Sequence, residues 1–219
     1  YKGLKNIHLD FSFVQAMIYA ITFGVVGFFI SVMIVKKVPD VSKKEIHKQL
    51  ESTEAIFKYL QILTAFYIAF AHGSNDVANA VGPLAAVVSI LKDGTVAMKV
   101  AMPPWILALG GACIVLGLLI WGRRVMETVG NKITEITPSR GFCATFGAAT
   151  VVLICSKMGL PVSTTHTLVG SVIGVGLARG LPTLNLGIIK DIVMSWLATV
   201  PFTALLSAIL FKIMVFTLG

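Results

Sequence analysis

From Phe11 to Val35 the chain runs without a charged side chain, and comparable runs recur from Ala101 to Gly122 and from Ile192 to Phe211. About 20 apolar residues suffice to carry an α-helix across the hydrocarbon core of a bilayer. A chain holding several such runs folds as an all-α polytopic membrane protein. Composition agrees: 56% of residues are hydrophobic and 13% charged, whereas a soluble domain carries about 25% charged residues.

Tyr1 to Asp10 is mixed and polar and fits no secretory signal; the start at Tyr1, with a full-length helix so soon after, reads as a fragment or a processed chain. The net charge of +8 could point to nucleic acid, but the basic residues gather between the apolar runs, so they report topology instead. Lys36 to Lys58 holds six lysines against Asp40, Glu45, Glu51 and Glu54, and Arg123, Arg124, Lys132 and Arg140 gather two spans later. Residues 36–58 and 123–140 are therefore expected in the cytoplasm. Residues 1–10, the Lys92 to Lys99 turn and the C-terminus are then external, in a multi-pass protein of the plasma (inner) membrane. Cys113, Cys143 and Cys155 lie in apolar runs without the short paired spacing of a disulfide or metal framework; they are expected as small buried hydrophobes.

Three units follow along the chain: residues 1–35, an external segment and first transmembrane helix; 36–58, a cytoplasmic connector; and 59–219, the body. In the connector, Ser42 and Glu45 have capping-box spacing, and Ile46, Leu50, Phe57 and Leu60 recur at helical intervals. Either an amphipathic helix on anionic headgroups or a solvated linker helix fits. In the body we expect a broken helix over 59–91, a helix over 101–122, a hairpin over 141–178 and a helix over 192–218 kinked at Pro201. Gly141 to Ser156 and Ser163 to Ala178 are each 16 residues long, short for a crossing. A re-entrant hairpin explains them and keeps Arg140 and Arg179 on one side; two thin tilted spans are the alternative. Gly110, Gly111, Ala112, Gly117, Gly170, Gly174 and Gly176 would let helices approach closely.

Two polar motifs interrupt the apolar pattern. Gly73-Ser74-Asn75-Asp76-Val77-Ala78-Asn79-Ala80 lies between charge-free runs, which puts Asp76 where a carboxylate is costly and commonly functional. The glycine and polar cluster predict an unwound break, tolerated at membrane depth only where it is covered or lines a cavity, with Asn75 and Asp76 capping a second half-helix. In Pro161-Val162-Ser163-Thr164-Thr165-His166, a proline and three hydroxyls open a helix. Unpaired N–H groups and the positive end of its dipole form an anion site there, unless the hydroxyls merely cap. An anion near Asp76 requires a cation or a shared proton to relieve repulsion. Cation-coupled anion uptake follows, and an acceptor carboxylate favours phosphate, which carries an O–H, over sulfate.

These two motifs, with Val172-Ile173-Gly174-Val175-Gly176 and Ser139-Arg140-Gly141-Phe142, resemble the signatures of the inorganic phosphate transporter (PiT) family. Members are secondary transporters, not enzymes, built from two inverted-topology repeats that move phosphate with sodium or protons. The resemblance implies phosphate contacts from Asn75, Asp76, Ser163, Thr164 and Thr165, and sodium contacts from Asp76, Asn79 and Ser163. It implies no cofactor beyond the coupling ion. Each motif occurs once here, so the chain matches one repeat, the C-terminal one. Its partners would be the complementary N-terminal repeat, the lipid bilayer and, at most, a second copy in a homodimer. A proton-coupled phosphate or sulfate permease stays open. A divalent-metal transporter would use His72, Asp76 and His166, but a break at Gly73 spoils that register. A hydrolase using Ser163, His166 and Asp76 fits three adjacent hydroxyls poorly, and a channel leaves the paired polar breaks unexplained.

Overall fold

The computed structural model describes residues 13–36, 45–94 and 102–218, all helix and connecting turn. Helix α1 spans Phe13–Lys36, α2 Ile46–Asp93, α3 Pro104–Gly117, α4 Arg123–Glu127, α5 Pro138–Met158, α6 Thr164–Leu177 and α7 Leu186–Leu218. One helical run from Pro104 to Lys132 takes in α3 and α4 through two π-helical turns, Leu118–Gly122 and Thr128–Lys132. It passes the expected end at Gly122, so Arg123 and Arg124 ride on the helix. The expected external segment 1–10, Ser42 of the capping box and most of the Lys92 to Lys99 turn lie outside the described residues. Helix α2 begins at Ile46 with Glu45 as its N-cap residue, so Glu45 does not hold the third helical position a capping box requires.

The largest departure from expectation concerns α2. Its 48 residues continue through Gly73–Ala80 as α-helix, so the break is absent and Asn75 and Asp76 are mid-helix residues rather than caps. Nor does the helix stop between the connector and the span. One mid-helix glycine costs only about 1 kcal/mol, and the polar side chains find partners on another element instead of on their own backbone. At 1.5 Å per residue α2 is about 72 Å long, more than twice the hydrocarbon core, so its N-terminal part projects beyond the apolar stretch that starts at Tyr59.

Helix α5 runs parallel to α2. Near its start, Glu54 accepts from the Thr137 hydroxyl at 3.0 Å, the Ser139 amide at 2.9 Å and the Ser139 hydroxyl at 2.6 Å. These bonds tie down a helix start whose N-cap residue, Thr137, makes no side-chain capping bond of its own. Burial works against the charge on Glu54, which lies in the polar segment before Tyr59. The Ser139 and Thr137 bonds and the Arg140 charge outweigh it and hold the carboxyl below its ordinary pKa. Further on, Thr145 donates to Thr64 at 2.8 Å, the Tyr67 hydroxyl lies 3.4 Å from that of Thr150, and Ala71 packs with Ala149 and Val152. The cap and Pro138 start α5 three residues before Gly141 and make it 21 residues long. That is enough to cross a membrane, so only the second arm, the 14 residues of α6, falls short.

Beyond the site α2 changes partner. Val81 and Ala85 pack with Ile106 of the antiparallel α3, and Gly110 leaves no room for a Cβ against the Val81 side chain. Gly176 is tight in the same way against Leu184, but Gly111, Gly117, Gly170 and Gly174 face open space. Cys113 and Cys143 are exposed rather than buried, and Cys155 is half-buried. In a membrane protein an apolar surface faces lipid or another chain, so an apolar run need not be a packed one. Helix α7 starts one residue after Asn185, whose side chain accepts from the Ile188 amide at 3.2 Å, and continues through Pro201.

Candidate functional site

The tip of the α5–α6 hairpin meets α2 at the motif. Helix α5 ends at Gly159, whose φ of 76° is left-handed backbone that suits glycine, and the Leu160 amide returns to the Cys155 carbonyl at 2.9 Å. Pro161 then denies the chain a donor, and Ser163 caps α6 by accepting from the His166 amide at 3.3 Å. Between the two ends, the Val162 carbonyl accepts from the side-chain amides of Asn75 at 2.6 Å and Asn79 at 3.2 Å. Asn75 stands 16 residues after Tyr59 and 16 before Leu91, so the tip reaches α2 at the middle of its apolar stretch.

Asp76 is the centre of the cluster. Its Oδ2 accepts from the Thr164 hydroxyl at 2.8 Å and meets His72 Nε2 at 2.6 Å, while Oδ1 accepts from the Asn75 amide at 3.0 Å. A hydrogen bond to a charged group contributes about 1.5–3 kcal/mol, so these contacts offset part of the cost of a carboxylate away from water. The Asp76 side chain keeps 31% of its exposure. A ligand approaching from the open side can therefore reach it. Asn75 is buried and fully engaged, because its Oδ1 also accepts from Ser156 at 3.2 Å; its role in this arrangement is to clamp the tip to α2.

Asn75, Asp76, Asn79 and Thr164 thus share one cluster across 80 or more residues of sequence. Ser163 lies at its edge, with its Oγ 2.7 Å from His166 Nδ1, and the imidazole stacks on Trp196 with ring centroids 3.8 Å apart. His166 is exposed. Thr165 goes elsewhere: it lines a cavity between α4, α6 and α7. Pro83, inside α2, has no N–H, so the Asn79 carbonyl lacks its helical donor. Sequence reasoning missed Ser156, the Val162 carbonyl and Trp196. A polar residue in the last turn of α5 was a signal for Ser156; nothing local marked the other two. Helical continuity restores the i,i+4 register of His72 and Asp76, yet no group of three or more His, Cys, Asp or Glu suited to a metal occurs among the described residues.

Four described helices are long and apolar enough to cross a membrane, and a hairpin tip delivers hydroxyls and a helix N-terminus to a carboxylate at the middle of the apolar stretch of one of them. These features define an all-α membrane protein with a polar site inside its apolar layer. A profile of the "Phosphate transporter family" matches residues 1–207. The chain belongs to that family. It is 48% identical over 212 residues to a Pyrococcus horikoshii protein named "Putative phosphate permease", covering 96% of this chain and 51% of the relative. To an Arabidopsis thaliana protein named "Inorganic phosphate transporter 2-1, chloroplastic" it is 55% identical over 163 residues, 74% of this chain and 28% of the relative. A solved structure titled "The sodium-dependent phosphate transporter" superposes with a TM-score of 0.83 at 44% identity, over 98% of this chain and 52% of that one. The chain spans about half the length of such relatives.

Proposed function

We propose that this chain is one repeat of a secondary active transporter that imports inorganic phosphate by sodium symport, not an enzyme. The observation that carries the reading is the Thr164 hydroxyl on the Asp76 carboxylate at 2.8 Å, which joins both motifs at the middle of the apolar stretch of α2. Phosphate binds at the membrane midplane against the N-terminus of α6, where Ser163 and Thr164 supply hydroxyls beside free helix N–H groups, while Thr165 lies on the other side of the helix. Asp76 accepts the phosphate O–H. Asn75 offers its amide to the anion when the tip parts from α2. Sodium sits between anion and carboxylate, held by Asp76, Ser163 and Asn79, whose carbonyl Pro83 has freed. The hairpin is re-entrant in this reading, because its tip stops at the middle of the apolar stretch of α2 and α6 is too short to cross. Residues 36–58 and 123–140 face the cytoplasm by their basic charge.

Half a cage leaves the far oxygens of phosphate unpaired, so the complementary N-terminal repeat completes the site and supplies the surface against which this half rocks. The His72 contact on Asp76 favours one variant, a proton replacing sodium as coupling ion. Labelled-phosphate uptake by the two-repeat protein in vesicles, with sodium and pH varied separately, decides. Uptake that follows the sodium gradient at fixed pH supports symport with sodium. Uptake that follows only the pH gradient assigns the coupling to the proton.

A further inference from the structure

Ser163 cannot serve phosphate and sodium at once. A serine hydroxyl has one hydrogen to give and two lone pairs to offer. The Ser163 Oγ accepts from the His166 amide at 3.3 Å and lies 2.7 Å from Nδ1 of the same residue. Its backbone carbonyl is taken as well, by the Thr167 amide at 3.0 Å and the Thr167 hydroxyl at 2.9 Å. The imidazole lies in turn on the indole of Trp196, with ring centroids 3.8 Å apart and the planes 26° from parallel. Trp196 is itself anchored, since it packs against the buried cluster of Ile133, Ala144, Val169, Val172 and Leu184. Stacking thus holds an otherwise exposed ring against Ser163.

The hydrogens can be arranged in two ways. If Nδ1 carries one, His166 fills both lone pairs of the Ser163 oxygen, and the hydroxyl hydrogen has no acceptor among the described residues. If Nδ1 is bare, it accepts the hydroxyl hydrogen; the amide then fills one lone pair and the other stays open. The described ion pairs do not include His166, so no carboxylate calls for a second hydrogen on the ring. Resting on the function proposed above, we propose that Trp196 and His166 are positioning residues that set Ser163 as a sodium ligand. The ring keeps the hydroxyl hydrogen from phosphate, and the open lone pair is presented before the cation arrives. Such preorganisation raises affinity by removing an ordering cost from binding. Phosphate takes its hydrogens from the amides at the start of α6 and draws on Ser163 only when the ring lets go. Trp196 acts through the imidazole, and the imidazole through Ser163.

The test uses the purified two-repeat transporter at fixed pH, with equilibrium binding of labelled sodium and uptake of labelled phosphate into vesicles. Trp196→Leu keeps apolar packing on the cluster and removes the flat face that carries the ring. It is expected to raise the half-saturating sodium concentration about threefold to tenfold, the range of one aromatic contact. Half-saturating phosphate at saturating sodium and the maximal rate should stay within about twofold, the split expected when only one ion loses a ligand. Trp196→Phe restores a face for the imidazole and should recover most of the sodium affinity. His166→Ala, a change at an exposed side chain, should show the same split as Trp196→Leu. On a Ser163→Gly background, which a helix N-cap tolerates, Trp196→Leu should add no further loss, because its effect passes through the missing hydroxyl. Additive losses on that background overturn the proposal. So does unchanged sodium affinity in both Trp196→Leu and His166→Ala, or a defect confined to phosphate, which would give the Ser163 hydrogen to the anion. Failure of the underlying reading looks different, and the assignment of Ser163 falls with it: the wild type would take up phosphate without regard to sodium, or Asp76→Asn would bind and transport phosphate as the wild type does.

Discussion

At the scale of single residues, Asp76 and Thr164 form the contact on which the account turns, and each explains the other. A buried hydroxyl aimed at a half-exposed carboxylate gives up its hydrogen to charge, so its loss is felt by whatever the carboxylate binds. Thr164 is 6% exposed, and valine there keeps the shape while removing the donor. We expect Thr164→Val to raise the half-saturating phosphate and sodium concentrations about tenfold or more, the scale of one hydrogen bond to a charged group, with Thr164→Ser recovering most of the loss. Equal defects in both variants would mean that the methyl group, not the hydroxyl, matters. The sequence made Asp76 and the three hydroxyls legible because polar groups stand out in an apolar run. It did not reveal that Thr164 faces Asp76 while Thr165 faces the other cavity, since that division depends on the rotation of α6 about its axis.

Among the elements, the start of α6 was readable because capping is local: Ser163 and His166 are three residues apart and bonded. The continuity of α2 was hidden for the opposite reason. Asn75 and Asp76 read as a break when no partner is in view, and their partners Val162 and Thr164 lie 87 and 88 residues away. Close packing was equally illegible, because glycines that touch and glycines that face lipid look alike in a sequence. Gly110→Ala should destabilise the α2–α3 contact by about 1–3 kcal/mol, since branched Val81 has little freedom to yield. Gly111→Ala, with open space around it, should leave the unfolding temperature in detergent unchanged or higher. The same loss in both variants would contradict the assignment of faces. A re-entrant hairpin also makes position 157 inaccessible as an ordinary external loop. With the native cysteines replaced, Lys157→Cys should react with an impermeant thiol reagent from outside far more slowly than Thr95→Cys, and equal labelling would favour two full crossings.

For the whole molecule, the edge of the cluster at Asn79, Ser163 and His166 is exposed, and the chain spans about half the length of its relatives. A buried anion held from one side keeps unpaired oxygens at a cost of several kcal/mol. Residues 1–219 reconstituted alone should therefore accumulate no phosphate, and co-reconstitution with the complementary repeat should restore uptake; accumulation by the single chain would require copies of it to assemble into a site. The central claim, that Asp76 couples a cation to phosphate at the hairpin tip, is tested most directly by one substitution in the two-repeat protein. Sodium-gradient-driven accumulation of labelled phosphate should be abolished in Asp76→Asn, with membrane insertion and the amount of folded protein at wild-type levels. Near-normal accumulation by that variant would contradict the account.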